Sequence, residues 1–148
     1  KHVKLHMIGP LQTNKVKKAL EVFDFIHSLD RENLAREFVK NINSSALLNK
    51  CFFIQVNTGK EKQKSGINLD EADGFIKYCL HDLKLNIIGL MCIPPLNDNP
   101  IPHFIILKEL ASRNQLQHLS MGMSNDYEVA LENGATFIRI GSQLFGDR

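Results

Sequence analysis

Two short segments near the end of the chain set glycine beside a hydroxyl: Met121-Gly122-Met123-Ser124-Asn125 and Gly141-Ser142. Glycine lets backbone amides come close to a ligand, and a hydroxyl with a run of amides at a helix start suits an anion, above all a phosphate. Each segment taken singly has a plainer reading. Ser124 or Asn125 would equally cap a helix, with Glu128 completing a capping box. Arg139 is the third candidate. It interrupts the apolar run Thr136-Phe137-Ile138-Arg139-Ile140, where period-two alternation sets it opposite Ile138 and Ile140. With those isoleucines packed on helices, the guanidinium points inward, where a permanent charge needs a partner. A structural salt bridge and a ligand atom both meet that need.

Other residue types argue against other chemistry. Cys51, Cys79 and Cys92 are odd in number, widely separated and each set in an apolar stretch. That pattern fits buried small hydrophobes in a reducing cytoplasm, not a zinc site or a disulfide framework. The net charge of +2 is nearly balanced, and the densest basic cluster, Lys15, Lys17 and Lys18, is too short for a nucleic-acid stripe. No stretch reaches the roughly 20 apolar residues of a membrane helix, and no signal peptide opens the chain. The sequon Asn43-Ser44-Ser45 is read as chance.

The elements that must position these candidates alternate in period. Strands are expected at Val3–Ile8, Phe25–Leu29, Cys51–Asn57, Leu85–Ile93, Leu116–Met121 and Thr136–Ile140. Helices are expected after Asn14, Asp30 and Asp70, around Pro102, and from Asn125 to Glu132, closed by Gly134. At 148 residues and 43% hydrophobic content the chain fills one ordinary core. Repeated strand–helix alternation implies an α/β fold with parallel strands, either a barrel or a doubly wound sheet. No Gly-x-Gly-x-x-Gly follows the first strand, which weakens the dinucleotide-binding version. A complete (β/α)8 barrel usually needs about 250 residues. The expectation is therefore one TIM-type barrel domain over 1–148 with six of its eight units, lacking the first two. Lys1, not methionine, stands directly before an apolar run, so a natural sequence is expected to continue upstream. In that register Ser124 follows strand seven and Gly141-Ser142 follows strand eight, the loops where such barrels commonly hold phosphate.

Several segments carry a resemblance in the right order: His6-Met7-Ile8-Gly9-Pro10-Leu11-Gln12-Thr13-Asn14-Lys15, Lys64-Ser65-Gly66, Gly89-Leu90-Met91, Ser120-Met121-Gly122-Met123-Ser124-Asn125-Asp126 and Arg139-Ile140-Gly141-Ser142. They resemble the motifs of the YggS/PROSC-type pyridoxal 5′-phosphate (PLP) homeostasis family, whose barrel is similar to the N-terminal domain of alanine racemase. The resemblance implies that Ser124, Gly141 and Ser142 hold the cofactor phosphate, that Arg139 faces the pyridine nitrogen, and that His6 and Met91 line the ring. It sets Lys64 in a loop where racemases have an arginine near the substrate. It also implies that the aldehyde-binding lysine lies upstream of this chain, so no residue here is assigned a catalytic role and none a metal.

Two departures bear on activity. Around strand six, where racemases place a histidine behind the cofactor, this sequence reads Cys92-Ile93-Pro94. No second domain follows to supply the tyrosine that racemases use as a second base, and stereoinversion needs an acid–base group on each face. The resemblance therefore implies a non-catalytic PLP-binding protein that holds or delivers the cofactor. The alternatives are a fold-type III PLP enzyme such as an amino-acid racemase, and a phosphate-binding barrel enzyme without PLP. PLP-dependent apoenzymes are the implied partners, with no nucleic acid or membrane. A cytoplasmic monomer is expected, because no long apolar stripe shows beyond the helices' inner faces.

Overall fold

The computed structural model describes residues 3–42, 49–61 and 65–146. Asn43-Ser44-Ser45 and Lys64 lie outside them. The order is β1 (His6–Met7), a 3₁₀ turn (Thr13–Lys15) leading into α1 (Val16–Val22), β2 (Phe25–Leu29), α2 (Glu32–Asn41), β3 (Cys51–Asn57) and β4 (Ile67–Asn68). There follow α3 (Leu69–Lys77), which runs on as a π-helical turn (Tyr78–Asp82), then β5 (Ile87–Met91), α4 (Pro100–Arg113) and β6 (His118–Met123). The last elements are α5 (Tyr127–Glu132), β7 (Phe137–Arg139) and α6 (Ser142–Phe145).

Element ends differ from expectation for local reasons. Of Val3–Ile8 only His6 and Met7 pair, because the Leu5 amide donates instead to the Asp24 carboxylate at 3.0 Å. Asp30 does not cap α2. Its carboxylate holds the Arg31 guanidinium at 2.6 Å, and extended Arg31 takes the cap position. Asn14 falls inside the 3₁₀ turn, and Asn68, not Asp70, stands at the N-cap of α3. Asn99 caps α4 by accepting from the Ile101 amide at 3.1 Å, with Pro100 and Pro102 in the first turn. β4 and α6 are too short to leave a periodic signal.

All strand pairs are parallel, in the order β1-β2-β3-β5-β6-β7, with β4 beside the end of β3. Flat strands spaced about 4.8 Å apart would put the two ends of such a sheet roughly 24 Å from each other. Instead Phe137 on β7 meets His6 on β1 at 5.9 Å between ring centroids. The sheet is thus curled into a partial (β/α) barrel, not laid out as a doubly wound sheet. Its outer face carries the main core: Phe52 packs on Phe38 of α2 at 4.8 Å, joined by Ile26, Ile54, Ile76, Leu90 and Leu107. Phe53 and Met91 are as deeply buried but point the other way, into the barrel. Gly89 is required where β5 meets β6, since a Cβ there would stand 2.1 Å from the His118 carbonyl oxygen. Among the described residues no helix is long and apolar enough to cross a membrane.

Candidate functional site

β6 leaves the sheet through a tight turn that brings its last residues under α5. Just before it, within β6 where the register with β7 shifts, Gly122 takes φ +90°, and a Cβ on it would strike the Ala130 side chain at 2.5 Å. The turn is closed by Asp126, whose Oδ1 accepts from the Met123 amide at 2.6 Å. Ser124 and Asn125 therefore cap nothing. The capping box is not formed, and Glu128 accepts from the Tyr127 hydroxyl at 3.2 Å instead. Ser124 turns toward the neighbouring loop. Its Oγ accepts from the Gly141 amide at 3.2 Å, and its carbonyl accepts from Gln143 Nε2 at 2.8 Å.

Ser124, Asn125, Arg139, Gly141 and Ser142 border one cavity of about 510 Å³, with Pro94 and Pro95 on its apolar side. The structure thus brings together the two glycine–hydroxyl segments and the inward arginine. His6 and Met91 do not border this cavity. Met91 is fully buried on the inner face, in register with Gln55 on β3 and Ser120 on β6. His6 is half-buried on β1, stacked on Phe25 at 4.3 Å.

Arg139 is aimed inward as alternation predicted. Nη1 donates to Ser120 Oγ and Nη2 to the Cys92 carbonyl, both at 2.9 Å. It forms no ion pair with a carboxylate among the described residues, and its Nε is buried with no partner. Burial pushes the guanidinium down from its ordinary value, opposed by Cys92 and Asp126. Cys92 itself is fully buried, and burial pushes its thiol up to about 12, so it stays protonated.

The residues that sequence reasoning missed stand behind Arg139. Ser120 Oγ lies 2.8 Å from His27 Nδ1, and His27 Nε2 lies 2.9 Å from His6 Nδ1. His27 is stacked on Phe53 at 4.3 Å, and its pKa is pushed down to about 3 by burial first, then by His6 and Arg139. The signal for His27 was the one that exposed Arg139, a polar residue alternating within an apolar strand. On the cavity's other rim buried His103 joins Thr58 Oγ1 and Asp98 Oδ2, each at 3.0 Å, and ties down the turn after Pro95. That hydrogen bond from His103 is the main reason the Asp98 carboxyl lies below its ordinary value. Among the described residues no group of three or more His, Cys, Asp or Glu side chains is placed to hold a metal.

The family model described as the alanine racemase N-terminal domain matches residues 2–148. A pyridoxal phosphate homeostasis protein of Aquifex aeolicus is 44% identical over 152 residues, covering 97% of this chain and 66% of the relative. The chain spans 64% of the corresponding proteins of Vibrio cholerae and Escherichia coli. PipY of Synechococcus elongatus, solved with PLP bound, superimposes with a TM-score of 0.81 at 31% identity, over 99% of this chain and 72% of that one. Its form without PLP gives 0.87 at 33% identity, over 97% and 71%.

Proposed function

Since the chain belongs to the alanine racemase N-terminal-domain family, on its YggS/PROSC-type PLP homeostasis branch, we propose that it is a non-catalytic PLP-binding protein that holds or delivers the cofactor. One observation carries the reading: Ser124, Gly141, Ser142 and Arg139, from two loops and the strand between them, border a single cavity. Its volume of about 510 Å³ is within the range of small-ligand sites. The donor set fits the cofactor. The Ser124 hydroxyl has its proton free while its oxygen accepts from Gly141. Ser142 adds a second hydroxyl, and the apolar wall of Pro94 and Pro95 suits a flat ring.

When bound, PLP supplies a reactive aldehyde and a ring able to act as an electron sink. The chain's own residues bind and restrain it. Ser124 and Ser142 hold the phosphate through their hydroxyls, and Gly141, whose amide donates to Ser124, lines the approach. Arg139 keeps its proton, so a ring nitrogen facing it can only accept, stays unprotonated and is the weaker sink. Among the described residues no lysine borders the cavity, so on this reading their hold on PLP rests on phosphate and ring contacts. The non-catalytic reading is supported by Cys92, whose buried protonated thiol is no base. It is supported too by Asp98 and Asp126, which are already engaged by His103 and the Met123 amide. The same reading takes the protein as a cytoplasmic monomer with PLP-dependent apoenzymes as its partners.

Equilibrium dialysis against PLP, pyridoxine 5′-phosphate and pyridoxal tests it, alongside an amino-acid racemisation assay. The two phosphate esters should be retained and pyridoxal should wash out. Equal retention of pyridoxal would remove the phosphate cradle, and robust racemisation would overturn the non-catalytic assignment.

A further inference from the structure

Four strands each contribute one member to a row of polar side chains on the inner face of the sheet: Arg139 on β7, Ser120 on β6, His27 on β2 and His6 on β1. They touch in that order at 2.9, 2.8 and 2.9 Å. The ring planes are fixed by stacking, His27 on Phe53 at 15° and His6 on Phe25 at 5°. Only the ring edges are therefore free to make hydrogen bonds.

The direction of those bonds follows from counting protons. A guanidinium only donates, so Ser120 Oγ accepts from Arg139. Ser120 is fully buried, and its hydroxyl has one other described neighbour, His27 Nδ1. The serine proton must go there, or a buried hydroxyl is left unsatisfied at a cost of about 1–3 kcal/mol. His27 Nδ1 is then an acceptor and carries no proton. Neutral His27 holds its single proton on Nε2 and donates it to His6 Nδ1.

We infer that Arg139, Ser120, His27 and His6 form a one-way hydrogen-bond relay that starts at the guanidinium, and that Ser120 and His27 are positioning residues for Arg139. With Nη1 fixed on Ser120 and Nη2 on the Cys92 carbonyl, the guanidinium plane is set from behind. Nε stays buried without a partner, and the residue borders the cavity. The reverse arrangement, with His27 Nδ1 donating, would give Ser120 two donors and no acceptor. The inference deepens the cofactor reading for that cavity, but its geometry stands without a ligand.

Long-range ¹H–¹⁵N NMR of the ¹⁵N-histidine-labelled protein near neutral pH, with no cofactor added, tests it. His27 should be the Nε2–H tautomer and His6 Nδ1 should be unprotonated. A proton on His27 Nδ1 would overturn the relay. Ser120→Ala removes the donor to Nδ1, so the tautomer preference of His27 should be lost, and Ser120→Thr should restore it. A preference unchanged in Ser120→Ala would reduce Ser120 to a packing residue and refute its role. The wild-type tautomer decides the matter even if the alanine variant does not fold. Because no cofactor enters the measurement, its failure is distinct from a failure to retain PLP.

Discussion

His27 ties the fold to pH in a way that can be measured. Its ordinary pKa is 6.5, and burial, His6 and Arg139 push it down to about 3 in the folded chain. Below its ordinary pKa the unfolded chain therefore binds a proton that the folded chain refuses. The sign follows: stability is full above pH 6.5 and falls as the pH drops from there toward 3. At about pH 5 the loss from this one group is about 2 kcal/mol, a figure insensitive to how far below 5 the folded value lies. Against a typical domain stability of about 5–15 kcal/mol that is a large share. Asp24, Asp73 and Asp98 are held below their ordinary 3.8 and give up their contribution only at lower pH. The window from about pH 7.5 to 5 thus isolates histidine. His6 shifts the same way, which is why the comparison must be with a variant. His27→Gln, followed by urea unfolding at both ends of the window, should be less stable at neutral pH. It should also lose about 2 kcal/mol less than wild type on acidification. Equal losses in the two proteins would refute the assignment of a neutral, buried His27.

With Ser124 in the proposed phosphate cradle, Ser124→Ala should weaken PLP retention roughly ten- to a hundredfold, the loss of one charge-assisted hydrogen bond; unaltered affinity by equilibrium dialysis would count against the cradle. Arg139→Gln should leave phosphate anchoring largely intact while moving the pH titration of the bound cofactor's absorbance. An unchanged titration would mean that Arg139 does not face the ring. Gly89→Ala drives a methyl into the His118 carbonyl, 2.1 Å away, and should cost about 3 kcal/mol or more in urea unfolding; a neutral effect would be inconsistent with the β5–β6 approach. The thiols of Cys79 and Cys92, buried and pushed up to about 12, should resist a disulfide reagent until the protein unfolds, while half-buried Cys51 reacts first. Native labelling of Cys92 at the rate of Cys51 would contradict that burial.

Much of the cavity was legible from local pattern. Alternation alone aimed Arg139 inward, because a strand has only two faces and Ile138 and Ile140 claim the other. Glycine beside hydroxyl marked the loops at Ser124 and Gly141-Ser142, since that local chemistry needs no distant partner to be recognised. What those hydroxyls bond to was not legible. Ser124 looked equally like a cap, and only the neighbouring loop, 17 residues on, drew it to the Gly141 amide. His6 and Met91 were grouped with the cofactor residues on motif alone, and neither borders the cavity that holds the others.

Periodicity determined that strands alternate with helices and run parallel, because burial of a strand face or a helix stripe is written residue by residue. It was silent on closure. A barrel and an open sheet bury the same residues on the outer face and differ in how strand twist and register accumulate from one pair to the next. Only the tertiary structure brought Phe137 to His6, and Ser120 to His27 across 93 positions of chain. Hydrogen bonds of that reach belong to the curvature of the whole sheet, and no window of neighbouring residues contains it.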